Sequence, residues 1–118
     1  MRRDKELIKA LLLYAEEQTD GGCPIIEVAD LPECFHEVSV NDFRQHGKLM
    51  MDYGLIEGRL VERGIQITAI TWSGYDFLEN ARATKIWQTA KKAAGHLSWD
   101  VFVAVLKQVA ADCAKAAL

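Results

Sequence analysis

The sequence predicts an α+β fold, mainly helical. Three observations carry that prediction. A helix-like segment from Val40 to Tyr53 runs directly into Gly54-Leu55-Ile56-Glu57-Gly58. Two short apolar runs follow, separated by Glu62-Arg63-Gly64. They end in Thr71-Trp72-Ser73-Gly74, with Phe77 and Leu78 next at helical spacing. Helix, hairpin and helix in this order describe a winged helix: a helix-turn-helix and a short β-hairpin wing, here with a C-terminal helical extension. One domain is expected over 1–118, with the winged-helix core over 1–82. The extension, 83–118, is expected to pack on the core or on a second copy.

Each element has its own local reason. Asp4 suits an N-cap, and Leu7, Ile8, Leu11, Leu12 and Ala15 share one face of a helix reaching Gln18. Thr19-Asp20-Gly21-Gly22 is a stop signal. Ile25-Ile26-Glu27-Val28 is short and β-branched and reads as a strand. Leu31 to His36 has room for one or two helical turns, with Pro32 suited to N1. Ser39 or Asn41 caps the next helix, whose inner stripe is Val40, Phe43, Gly47 and Met50, with Leu49 and Tyr53 beside it. Gly54 then takes the left-handed C′ position. The hairpin pairs Leu55–Val61 with Ile65–Ile70 around a three-residue loop, where Gly64 is expected at positive φ. Thr71 or Ser73 caps a helix carrying Tyr75, Phe77, Leu78 and Ala81, which runs on, with a bend, to Lys92 and breaks at Gly95. Ser98 caps a last helix to Ala116.

With these residues in view, the chain resembles a known family. Met1-Arg2-Arg3-Asp4 with Leu7-Ile8 and Leu11-Leu12, Tyr53 to Gly58, Thr71-Trp72-x-Gly74-x-x-Phe77-Leu78 and Ile86-Trp87 are similar to the bacterial and prophage "domain of unknown function" family numbered twenty-five-thirteen. The resemblance covers essentially the whole chain. It implies a winged-helix-like fold in a bacterial or phage protein, and it brings no activity and no catalytic residues.

The totals narrow the setting. The chain has 118 residues, half of them hydrophobic and 26% charged, and a formal net charge of -3. No apolar run reaches membrane-spanning length and no leader pattern opens the chain, so a cytoplasmic protein is expected. Cys23, Cys34 and Cys113 are odd in number and lack CxxC spacing, as suits free thiols. Together with His36 and His46 they match no structural zinc pattern, and no cofactor is expected. Ser73 lacks a nucleophile elbow, Gly47-Lys48-Leu49 lacks the rest of a phosphate loop, and nothing singles out Glu16-Glu17 as acid and base. A non-enzymatic protein is expected.

A winged helix places its second helix in the major groove and its wing on the backbone. Asn41, Arg44, Gln45 and Lys48 are then the groove candidates, and Arg59 and Arg63 the wing contacts. Arg and Gln suit guanine and adenine edges. The charge map argues against this use. From Ala10 to Phe43 there is no Lys or Arg and there are eight acids, and from Val40 to Trp72 four cations meet four acids. Duplex binding relies on phosphate neutralisation, which this balance opposes. Basic charge gathers instead at Arg82, Lys85, Lys91 and Lys92, with no acid between them. That run reads as a patch for nucleic acid or an acidic protein, or as a solvated face with Trp87 turned inward. It also complements the acidic first third, within a protomer or between two copies.

In the last helix Phe102, Val105, Leu106, Val109 and Cys113 form a core stripe. With Trp99 they also read as a dimer surface anchored by Trp99 and Phe102. Trp72 and Trp87 are expected in the core. The leading function is a DNA-contacting regulatory or accessory protein of a bacterium or prophage. The alternative is a protein-interaction module on the same scaffold that does not bind DNA and docks through its acidic first third.

Overall fold

The computed structural model describes residues 4–18 and 22–116. The stop signal expected at Thr19 to Gly21 lies outside them. The chain divides into two compact units after Tyr75. The fold is α+β and mostly helical, with one three-stranded antiparallel sheet.

The first unit opens with α1 (Lys5–Gln18). Asp4 caps it, its Oδ1 accepting from the amides of Glu6 at 3.0 Å and Leu7 at 3.2 Å. Leu7, Ile8, Leu11, Leu12 and Ala15 are all buried, and the helix packs on α2 (Val40–Asp52) and β3 (Gly64–Ile70). Between them lie β1 (Ile25–Glu27) and two three-residue 3-10 helices, Val28–Asp30 and Glu33–Phe35. The one or two helical turns expected over Leu31 to His36 are thus a single 3-10 turn, Glu33–Phe35, with a second, Val28–Asp30, just before that stretch. Pro32 sits at the N-cap of the Glu33–Phe35 turn rather than at N1, its carbonyl accepting from Phe35 N–H at 2.9 Å.

Helix α2 begins as its sequence dictates, with Ser39 Oγ accepting from Asp42 N–H at 3.1 Å. It ends in a Schellman motif: Gly54 has φ 83°, Leu55 N–H donates to Met50 O at 2.9 Å and Gly54 N–H to Met51 O at 3.0 Å. Phe43, His46, Gly47 and Met50 face inward. Gly47 allows the close approach of β3, because a Cβ there would overlap the Ile65 side chain.

The hairpin pairs β2 (Ile56–Leu60) with β3, and β1 adds to the far edge of β3, giving the order β1-β3-β2. A bulge falls between Glu57 and Gly58. Gly64 differs from expectation. It belongs to β3 and does not have positive φ. Its lack of a side chain serves a close approach instead, since a Cβ would overlap the Ile26 carbonyl oxygen of the paired strand. Ile65 and Ile67 are fully buried, while Thr68 is exposed, as the alternation predicts.

Strand β3 passes straight into α3 (Trp72–Arg82) through Thr71. The Thr71 hydroxyl accepts from Gly74 N–H at 3.0 Å, which makes Thr71 the N-cap. The same hydroxyl donates to the Gly54 carbonyl, and Thr71 N–H donates to Leu55 O at 3.1 Å. A Cβ on Gly74 would overlap that Leu55 oxygen. The two signatures Gly54-Leu55 and Thr71-x-x-Gly74 are therefore two halves of one joint. It ties the end of α2 to the start of α3.

The second unit comprises residues 76–118. The expected bent helix is two helices. Ala83, extended at φ -77° and ψ 104°, ends α3 and caps α4 (Thr84–Ala94). Helix α5 (Trp99–Ala116) packs on α4. Their interface is aromatic. Phe77 and Trp87 meet edge-on at 5.9 Å, Trp87 and Phe102 edge-on at 5.3 Å, and Trp99 lies 5.3 Å from Phe77 and 6.0 Å from Phe102. Edge-to-face pairs at these spacings are favourable for ring quadrupoles.

Two stability predictions follow from these contacts. Gly74→Ala pushes a methyl into the Leu55 carbonyl and is expected to cost about 3 kcal/mol by urea unfolding. Trp87→Ala empties the centre of the ring cluster and is expected to cost about 3–5 kcal/mol, whereas Trp72→Ala stays within about 0.5 kcal/mol because its side chain is exposed.

Candidate functional site

The surface formed by α2 and the hairpin is where the sequence places a DNA site. Asn41, Gln45 and Lys48 are exposed. Their spacing, with Asp52 one turn further on, puts all four on one face of the helix. The face therefore carries one cation and one acid, with exposed Asp42 beside it. Arg44 is turned toward the hairpin, its Nε donating to Val61 O at 2.8 Å. It braces α2 against the wing. Arg59 Nε donates to Gln66 Oε1 on the paired strand at 2.7 Å. Arg63 pairs with Glu27 at 3.7 Å. The four cations expected to meet DNA are thus one outward lysine and three arginines engaged within their own unit.

Beneath this face lies His46, which the helical stripe did not include. It is buried, with Nε2 accepting from Asp4 N–H at 2.9 Å and Nδ1 2.7 Å from Asp42 O. Since Nε2 accepts, Nδ1 carries the proton and donates. The ring fastens the first turn of α1 to α2. The signal for it was its position three residues after Phe43. An open hollow of about 330 Å³ lies beside the 3-10 turns before α2, lined by Val28, Ala29, His36, Val38 and Val40 and flanked by Glu27 and Arg63.

The other candidate residues belong to elements other than α2 and the hairpin. In the second unit Arg82, Lys85 and Lys92 are exposed and Lys91 is half-buried, while Trp87 is 1% exposed. Arg82 ends α3, while Lys85, Lys91 and Lys92 lie on α4, whose Trp87 is turned inward. Trp99 and Phe102, read as core residues and also as anchors for a second copy, are buried in the ring cluster, and Leu106 is buried with them. The core face of α5 is rotated toward Trp99 and Val103, which leaves Val105 and Val109 half-buried. Cys23 and Cys34 are exposed free thiols and Cys113 is partly covered. Among the described residues, no three His, Cys, Asp or Glu side chains converge as a metal site would require. Nor is any helix among them long and apolar enough to cross a membrane.

Trp72 corrects the expectation most sharply. It is 85% exposed, with Tyr75 47% and Tyr53 40% exposed. The physical reason is the joint. Gly74, Phe77, Leu78 and Ala81 are the buried positions of α3, spaced i, i+3, i+4, i+7. That spacing leaves Trp72 and Tyr75 on the opposite side. The spacing was present in the sequence; the weight given to tryptophan as a core residue hid it.

The class is therefore an α+β domain with an engaged, charge-balanced helix face and an exposed aromatic group at a rigid joint. A model of the family DUF2513, described as a hypothetical protein, matches residues 2–99, and the chain belongs to that family. No curated protein and no solved structure matches it.

His46→Phe keeps the bulk of the ring and removes both hydrogen bonds, leaving the Asp4 amide without its acceptor. The expected loss is about 1–3 kcal/mol by urea unfolding, with amide exchange accelerating first at the start of α1.

Proposed function

We propose that the first unit is a winged-helix scaffold used for protein contact rather than for duplex DNA, in a protein that is not an enzyme. The scaffold reading rests on element order and pairing: α1, β1, α2, then a hairpin whose second strand lies between the other two. One observation carries the functional reading. Arg44 and Arg59 each donate Nε to an acceptor within the unit, Arg63 lies 3.7 Å from Glu27 in an exposed pair, and Lys48 shares its helix face with Asp52. A phosphate-binding surface needs cations that gain a partner when DNA arrives. Residues 1–75 also carry thirteen acids against eight Lys and Arg, a balance that repels a polyanion. The segment before α2 forms only 3-10 turns, where a DNA-binding helix-turn-helix has a helix crossing the DNA backbone.

The test is retention on an immobilised random-sequence duplex at about 50 mM salt, where sequence-independent binding is strongest. The wild type is expected to pass through unretained, as is Arg44→Ala/Lys48→Ala. Retention of the wild type that is lost in the double variant would sink the reading and restore α2 as a recognition helix.

A further inference from the structure

We infer that the exposed aromatic group at the joint, Tyr53, Trp72 and Tyr75, is a docking site for a cationic protein segment bearing arginine or lysine. The inference rests on the protein-contact reading above and names its surface and partner class.

Trp72 is the one tryptophan left outside; Trp87 and Trp99 are buried. Its backbone is held in place from both sides. The Thr71 hydroxyl bridges the Gly54 carbonyl and the Gly74 amide, and Thr71 N–H is bonded to Leu55 O. Tyr53 precedes Gly54 directly, and Tyr75 lies one helical turn after Trp72, so all three residues flank the bonded joint along the backbone. A large aromatic side chain on a fixed backbone loses little entropy on binding, which is why such residues serve as interface anchors.

The charge around the joint selects the partner. Helix α2 ends there, and its last turn has no basic residue and carries the exposed Asp52. A helix C-terminus has partial negative charge from its carbonyls, and a carboxylate beside it adds to that charge. Cations are the usual complement at this position, and this chain supplies none in the turn. The unit as a whole is acidic, with thirteen acids against eight bases over residues 1–75. Exposed aromatic residues flanking a helix end that carries Asp52 and no basic side chain favour an ammonium or guanidinium group. The rings attract it through their quadrupoles and the helix end through its charge. A polyanion gains the ring stacking but meets the carboxylate and the helix end, so single-stranded nucleic acid is disfavoured at the same place.

The experiment is fluorescence anisotropy with a labelled, end-capped hexa-arginine peptide at low salt. Variants are Trp72→Ala, Trp72→Phe, Asp52→Asn and, as a control for diffuse attraction, Glu33→Gln/Glu37→Gln. The expected result is saturable binding by the wild type, weakened at least about threefold by Trp72→Ala and restored by Trp72→Phe. Asp52→Asn weakens it about twofold, beyond the effect of the control pair. The inference is overturned by the absence of saturable binding, or by a loss in the control pair as large as that in Trp72→Ala. It is also overturned if labelled hexaglutamate or oligothymidylate binds in a Trp72-dependent way. Passing the same samples over the immobilised duplex separates the two readings. Lys48-dependent retention removes the protein-contact reading, whereas Trp72-independent peptide binding removes only this docking site.

Discussion

A single hydroxyl holds the first unit's architecture at its most constrained point. Thr71 Oγ1 accepts the Gly74 amide and donates to the Gly54 carbonyl. A threonine hydroxyl has one proton and two lone pairs, so it can satisfy both groups at once, and a valine of the same shape satisfies neither. The bond on the Gly54 side joins a left-handed residue that ends α2, and the bond on the Gly74 side starts α3. Between those two points the chain makes its whole hairpin excursion. The closeness of the backbones at the joint forbids a side chain on Gly74. The hairpin's position relative to α2 depends on this closure and on the Arg44 bond to Val61 O at its far end.

The division of polar and aromatic groups follows from that frame. Once the hairpin lies against α2, Arg44 is close enough to serve as its brace, and Arg59 and Arg63 find acceptors on neighbouring strands. The Nε bonds of Arg44 and Arg59 tie the hairpin to α2 and its two strands to each other. The aromatic residues divide in the opposite sense. Phe77, Trp87, Trp99 and Phe102 stack together in the second unit, while Trp72 remains outside. An exposed tryptophan contributes little to folding, so Trp72 owes its position to the joint rather than to the core.

Much of this was legible along the chain because it depends on near neighbours. Asp4 and Ser39 as caps, Gly54 as the left-handed end of α2, the alternation of Ile65 and Ile67, and the inner face of α1 all follow from local rules and agree with the structure. Misreadings arose where a residue type has two uses. Gly64 fits a left-handed turn and equally a tight strand contact, and only the approach of Ile26 selects the second. Trp99 and Phe102 fit an anchor on the surface and equally a ring cluster, and the rings of α3 and α4 select the cluster. His46 looked like an idle histidine until α1 supplied the amide it accepts.

The sequence by itself determined most of the elements, their caps and periods, the acid excess of residues 1–75 and membership of the family. Those properties are set by residues a few positions apart or by simple counting. The tertiary structure alone decided which cations are engaged, which tryptophan is exposed and why Thr71 and Gly74 stand where they do. These depend on pairs separated by 17 positions or more, as in Thr71 with Gly54, Arg44 with Val61 and Asp4 with His46. Their partners are fixed only when the backbone closes, because a donor's identity does not reveal which distant acceptor the fold will bring to it.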